Sequence, residues 1–142
     1  MVTNSRPTRG DSQIWRRRKC LGCGEVYTTY EKINLSHLIV VKKSGRKERF
    51  RRVKLFSGIY HSSIDRKNVD RGEMSEFSEK TTNQIIQEIL KLKRKEIHST
   101  EITEMVLNKL KKTAPDTFLR YLAYREGSDR KKLGTLLKKY TK

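Results

Sequence analysis

The feature that most constrains this chain is the turn Cys20-Leu21-Gly22-Cys23-Gly24, set between two segments of strand character. Two thiols three positions apart, followed by a glycine, form a tight knuckle that aims both sulfurs at one point. On one side stand Trp15-Arg16-Arg17-Arg18-Lys19, and on the other Val26-Tyr27-Thr28-Thr29-Tyr30-Glu31, rich in β-branched and aromatic residues. Residues 13 to 33 are therefore expected to form a β-hairpin around Cys20 and Cys23. These are the only two cysteines, too close for a disulfide framework. Their spacing suits a metal or thiol redox chemistry, but a redox pair calls for a βαβ context that is missing here. A structural zinc site takes four ligands, and His37, His61 and His98 are too scattered to make a second knuckle. Half a zinc site, a site completed by another chain and an inert vestige all remain open.

The chain has 142 residues, with 34 Lys and Arg against 16 Asp and Glu, a formal charge of +18. Such a field attracts polyanions, nucleic acid and nucleotides foremost. Residues 1 to 12 read as a polar loop or extended arm, and fixed cations beside the knuckle, Arg16, Arg17, Arg18 and Lys19, are candidates for phosphate contacts. No run approaches the roughly 18 apolar residues of a membrane span, and the first residues lack the apolar core of a secretory signal. The cytoplasm is the expected location.

Downstream, Leu38-Ile39-Val40-Val41-Lys42-Lys43, Ser44-Gly45 and Arg46-Lys47-Glu48-Arg49-Phe50 spell a second hairpin with Ser-Gly at its turn. Val53, Leu55, Phe56, Ile59, Tyr60 and Ile64 recur at helical spacing, interrupted by Gly58. Residues 66 to 78 are polar and read as loop. Ile85, Ile86, Ile89, Leu90 and Leu92 mark one face of a helix over about 80 to 94, with Thr81 and Gln84 placed like a capping box. Ser99 and Thr100 are placed to cap a further helix bearing Ile102, Val106, Leu107 and Leu110, and Pro115 to open another through Phe118, Leu119 and Leu122. The segment from Ser128 to Lys142 reads as either a short basic amphipathic helix or a frayed tail. The fold class is α+β: a small hairpin region over 1–35, a mainly helical domain with its own N-terminal hairpin over 36–127, and a basic tail over 128–142.

Lys42, Lys43 and Lys54 converge on one end of the second hairpin and its following helix, a cluster that suits a triphosphate or, alternatively, shields the apolar layer of Val40, Val41 and Phe50. There is no Walker-type loop, hydrolytic triad or paired carboxylate, so an enzyme is not expected.

The order of these segments resembles the NrdR family, bacterial repressors of ribonucleotide reductase genes, from about Asn4 to about Glu126. Ser5-Arg6-Pro7, Arg16 through Gly24 and Tyr27-Thr28-Thr29-Tyr30-Glu31 are similar to the second half of that family's zinc ribbon. Val41 through Phe50, Arg52 and Lys54-Leu55 resemble the opening of an ATP-cone domain, and Ile102 through Leu110 with Phe118 through Arg125 its closing helices. The resemblance implies a zinc ribbon that binds double-stranded operator DNA and a cone that senses ATP against dATP, setting a homo-oligomeric state. It implies Cys20 and Cys23 as zinc ligands and Arg16, Arg17, Arg18 and Lys19 at DNA. Lys42, Lys43 and Lys54 would hold nucleotide phosphates, Val41, Glu48 and Phe50 would shape that pocket, and Tyr124 and Arg125, also nucleotide-binding, would close the domain. Three features depart from the family pattern. Its earlier Cys-Pro-x-Cys knuckle is not in this sequence, Ser44 and Arg51 stand where aspartates are usual, and the tail after Ser128 is unusually basic. The half ribbon motivates an alternative, a stand-alone nucleotide-sensing module that acts on a protein partner.

Overall fold

The computed structural model describes residues 1–7, 14–126 and 130–141, which form two compact units, Met1–Leu35 and Ser36–Lys142. The first unit is a three-stranded antiparallel sheet in the order β1 (Val2–Pro7), β2 (Ile14–Lys19), β3 (Val26–Glu31). The hairpin expected around the cysteines is β2 and β3, in register from Ile14 opposite Glu31 to Lys19 opposite Val26. Its knuckle closes through Gly24 N–H to the Cys20 carbonyl at 2.9 Å and Cys20 N–H to the Glu25 carbonyl at 2.8 Å, with Gly24 at φ +78°. That left-handed conformation is strained for any residue with a Cβ.

The N-terminal arm is not a loop throughout, because residues 2–7 add β1 to the open edge of β2. A bulge between Val2 and Asn4 leaves Thr3 unpaired in the register, and its hydroxyl donates to the Arg17 carbonyl at 3.1 Å. Polar composition hid this strand, since it is held by backbone hydrogen bonds to β2 rather than by an apolar layer. The remainder of that arm, residues 8–13, lies outside the described residues.

The second unit opens on β4 (Ile39–Val41) and β5 (Lys47–Arg49), the expected second hairpin, joined by a turn in which Gly45 takes φ +87°. Helices α1 (Arg52–Ile64) and α2 (Arg71–Lys91) follow, then β6 (Glu96–His98), α3 (Ser99–Thr113), α4 (Pro115–Glu126) and α5 (Arg130–Tyr140). The short β6 pairs parallel to β4, so the sheet order is β5-β4-β6 with Val40 beside Ile97 at its centre. The core gathers Ile59 from α1, Ile85 from α2, Val106 and Leu110 from α3, and Tyr121 and Leu122 from α4, all fully buried.

Two helical expectations change. Gly58 does not interrupt α1; it lies buried within the helix where α4 crosses, and a Cβ there would meet Tyr121 at 3.4 Å. Of the polar stretch expected to be loop, residues 66–70 are loop, but residues 71–78 form the first turns of α2, capped by Asp70, whose Oδ1 accepts from Gly72 N–H at 2.9 Å and Glu73 N–H at 3.1 Å. Thr81 is therefore a buried mid-helix residue rather than a cap. The periodicity of this stretch is invisible on a hydropathy scale because the buried face carries small polar side chains. Ser78 and Thr82 satisfy their hydroxyls on the carbonyls of Met74 and Ser78, both at 2.7 Å. Helix α3 starts as expected near Ser99, but the capping interaction is made by Glu101, which accepts from the His98 N–H at 2.9 Å. The tail is helical over Arg130–Tyr140, and Tyr140 is buried with its ring edge-on to Phe118, centroids 5.7 Å apart.

Candidate functional site

The hairpin β4–β5 places Lys42 just after β4 and Glu48 in β5, while the start of α1 places Lys54 opposite both. Glu48 accepts from Lys54 Nζ at 3.0 Å and ion-pairs with Lys42 at 3.1 Å, with Arg46 Nη2 at 3.6 Å. The hydrogen bonds from Lys54 and then Lys42 pull the Glu48 carboxyl from an ordinary 4.5 down to about 2. Three cations thus crowd one carboxylate. Beneath them is a cavity of about 50 Å³ lined by Phe50, Leu55, Ile102 and Thr103, with Lys42, Glu48, Lys54 and Arg125 at its rim.

This cavity is too small for a nucleotide, but it shares Lys42, Ser99, Thr103 and Arg125 with a cleft of about 670 Å³. A volume in that range is what small-molecule sites occupy. The cleft runs from the β4–β5 turn, with Lys43, Ser44 and Arg46, along the first turns of α3 to α5. Ser99 and Thr100 lie in the first turn of α3, so the positive end of that helix also faces the cleft. An apolar hole beside a basic trough offers both a berth for a flat base and a counter-surface for a polyphosphate.

Of the residues the sequence pointed to, the structure brings together Lys42, Glu48, Phe50, Lys54 and Arg125 around the small cavity, and Lys43 in the wider cleft. Val41 lines neither; it pairs with Lys47 in β5 and His98 in β6 and so fixes the sheet beneath the site. Tyr124 faces elsewhere, 71% exposed, into a separate cleft of about 360 Å³ with His61, Arg71 and Arg120. Its link to the larger cleft is Arg125, whose guanidinium sits 5.9 Å from the Tyr124 ring centroid and 5.4 Å from that of Tyr121. Arg125 Nε also donates to the Tyr121 hydroxyl at 3.2 Å, which holds the side chain in place. Sequence reasoning missed Ser99, Thr100, Ile102 and Thr103 as lining residues, having assigned the first two to capping and Ile102 to an apolar stripe. Their joint placement at a helix start was legible; their proximity to the hairpin came only from the pairing of β6 with β4.

On the first sheet the four cations Arg16 to Lys19 are split, because successive strand residues point to opposite faces. Arg16 and Arg18 share a face and are half-buried, tied by their Nε atoms to Glu31 at 2.9 Å and Thr29 at 2.8 Å. Arg17 and Lys19 are exposed on the other face, which Trp15 shares. Cys20 and Cys23 are both free thiols, Cys20 half-buried and Cys23 exposed. The N–H groups of Cys23 and then Gly22 hold the Cys20 thiol below its ordinary value, which favours the thiolate a metal requires. Among the described residues no group of three or more His, Cys, Asp or Glu is placed to hold a metal. Two thiols at this spacing have donor chemistry that suits zinc, and they number half of the four ligands that a closed tetrahedral site takes.

Residues 1–31 match the NrdR-like transcriptional repressor N-terminal domain, and residues 38–130 match the ATP cone domain. Among curated relatives, the transcriptional repressor NrdR of Caldicellulosiruptor bescii is 39% identical over 129 residues, covering 90% of this chain and 81% of its own. The repressor of the same name from Pelotomaculum thermopropionicum is 37% identical, with 90% and 75% covered. That of Thermoanaerobacter pseudethanolicus is 36% identical, with 90% and 78% covered. No described helix is long and apolar enough to cross a membrane.

Proposed function

The chain belongs to the NrdR family of transcriptional repressors, and from that premise we propose that it represses ribonucleotide reductase genes in response to adenine nucleotides. The observation that carries the reading is the cationic cluster of Lys42, Lys54 and Arg125 around a small, mainly apolar cavity that shares Lys42, Ser99, Thr103 and Arg125 with the basic cleft. In this reading ATP or dATP places its polyphosphate against Lys42, Lys43 and Lys54, with Phe50 at the apolar end and Arg125, steadied by Tyr121 and Tyr124, closing the site. Occupancy changes how copies of the chain assemble, and assembly sets the affinity of Arg16, Arg17, Arg18 and Lys19 for double-stranded DNA. Zinc, when bound by Cys20 and Cys23, supplies a rigid closure for the knuckle that carries these cations.

The test is fluorescence anisotropy with DNA from upstream of reductase genes, at several salt concentrations, with ATP and with dATP. Neutralising Arg16, Arg17 and Arg18 together is expected to weaken binding and to flatten the salt dependence by about 0.9 in slope for each phosphate that the protein no longer neutralises. Because Arg17 and Lys19 share the exposed face, Arg17→Ala with Lys19→Ala should lower affinity while leaving the ribbon folded. Arg16→Ala with Arg18→Ala should also loosen the sheet, by removing two cross-strand bonds. Unchanged affinity and slope in the triple variant reject the assignment. The two-ligand metal set favours a second reading, a nucleotide-sensing module acting on a protein partner; it predicts no specific retardation of that DNA under any nucleotide condition.

A further inference from the structure

All of helix α5 but its first residue lies beyond the matched cone domain, which ends at residue 130, and nothing in the family assignment gives it a task. Its sequence, Arg130 to Tyr140, carries five cations and no carboxylate. It is nevertheless docked. Tyr140 is buried against Phe118 of α4, and Lys139 Nζ donates to Glu104 Oε1 on α3 at 3.1 Å. Docking in this place turns Lys132, Leu136 and Lys139 towards the 670 Å³ cleft, whose opposite wall is the β4–β5 turn. Lys42, Lys43, Arg46, Arg125, Lys132 and Lys139 line this cleft with one carboxylate, Glu104, while Glu48 of the adjoining cavity pairs with Lys42 and Arg46. Cations gathered so densely repel one another, and an anion lodged between the two walls relieves that repulsion.

We propose that α5 is the outer wall of the nucleotide site and that Lys132 and Lys139 are ligands for the polyphosphate of a bound nucleoside triphosphate. The proposal rests on the nucleotide reading above and extends it to residues outside the cone. The Lys139–Glu104 pair is about half-exposed on both sides, and such pairs contribute little, so Lys139 transfers to a phosphate oxygen at small cost. Tyr140 keeps α5 seated while Lys139 changes partner, so that occupancy fastens the helix more firmly to α3 and the hairpin.

Calorimetric titration of the full chain with ATP, dATP and inorganic tripolyphosphate tests this. Lys132→Gln with Lys139→Gln is expected to weaken ATP and tripolyphosphate alike by about tenfold, the effect of removing charged hydrogen bonds at a partly exposed site. Lys131→Gln with Lys138→Gln, the same reduction of charge on residues that do not line the cleft, should change either affinity less than about twofold. Equal weakening in both pairs, or none in the first, overturns the assignment to α5 while leaving the nucleotide reading intact. Failure of the unaltered chain to bind ATP overturns both. Should the first pair of substitutions unfold the chain, hydrogen exchange on the unaltered protein still decides: α5 amides must slow when tripolyphosphate is added, and unchanged exchange rejects the proposal.

Discussion

At the scale of single residues, Glu48 is the group on which the proposed nucleotide site turns. Its carboxylate fixes Lys54 and Lys42 at 3.0 and 3.1 Å, so it preorganises the cations a polyphosphate would need and also neutralises them in the meantime. Its carboxyl is depressed in the folded chain from 4.5 to about 2. A depressed carboxyl contributes stability that is fully present above its unfolded value and is lost as pH falls towards its folded value. The contribution from Glu48 should therefore fade between about pH 4.5 and pH 2. Urea midpoints measured across that window are expected to drop less in Glu48→Gln than in the unaltered chain; parallel curves would show that the lysines do not stabilise the carboxylate. Tyr124 illustrates the reverse lesson. The family resemblance pairs Tyr124 with Arg125 at the site, whereas helical geometry sets Tyr124 over the cleft with His61 and Arg120, its ring centroid 5.9 Å from the arginine.

Among elements, α1 and α4 meet at Gly58 and α2 is longer than its apolar stripe. Alanine at position 58 would place its Cβ 3.4 Å from Tyr121 and 3.7 Å from Arg125, ordinary van der Waals distances. Gly58→Ala should therefore stabilise the chain by about 0.5–1 kcal/mol through helix propensity alone. Gly58→Leu should destabilise it by about 1–3 kcal/mol, because Tyr121 is fully buried and cannot give way. Thermal unfolding of the two variants checks both signs. At the other helix, Asp70 caps the start of α2, a helix of 21 residues. Asp70→Ala should cost about 1 kcal/mol in chemical denaturation. It should also speed amide exchange over the first turns of α2, whereas a loop over residues 71–78 would exchange at the same rate in both proteins. Arg52 secures the same helix from α1, with a two-pronged contact to Glu79 at 2.7 and 3.3 Å and a hydrogen bond to Asn83.

For the whole molecule the two units differ in what stabilises them. Ser36–Lys142 has a continuous apolar core from four helices and a sheet, whereas among the described residues of Met1–Leu35 only Leu35 is buried. A sheet with so little apolar burial depends on a cross-link such as a metal for its order. Adding zinc to metal-stripped protein is expected to slow hydrogen exchange in β2 and β3, to leave α1 to α4 unchanged, and to have no effect in Cys20→Ser with Cys23→Ser. Exchange in α1 to α4 that quickens on stripping would refute this separation of the two units. The excess of positive charge, +18 overall, gives both units a common attraction to polyanions, and shape then sorts them. A flat sheet with alternating cations suits a duplex backbone, and a cleft with an apolar end suits a nucleotide.

What the sequence determined by itself was local and periodic. The two hairpins, the apolar stripes of α1 and α3, the cysteine knuckle and the grouping of Lys42 with Lys43 follow from turn chemistry, side-chain period and proximity along the chain. The polar half of α2 did not, because its buried face is made of hydroxyls that satisfy themselves on the helix, and β1 did not, because strand addition needs only backbone donors and acceptors. Tertiary structure alone decided that β6 pairs beside β4, and with it that the start of α3 meets the hairpin. It likewise decided that Tyr140 anchors a basic tail across the cleft. Both depend on residues far apart in sequence coming together, and the energy of that packing is encoded in no local pattern.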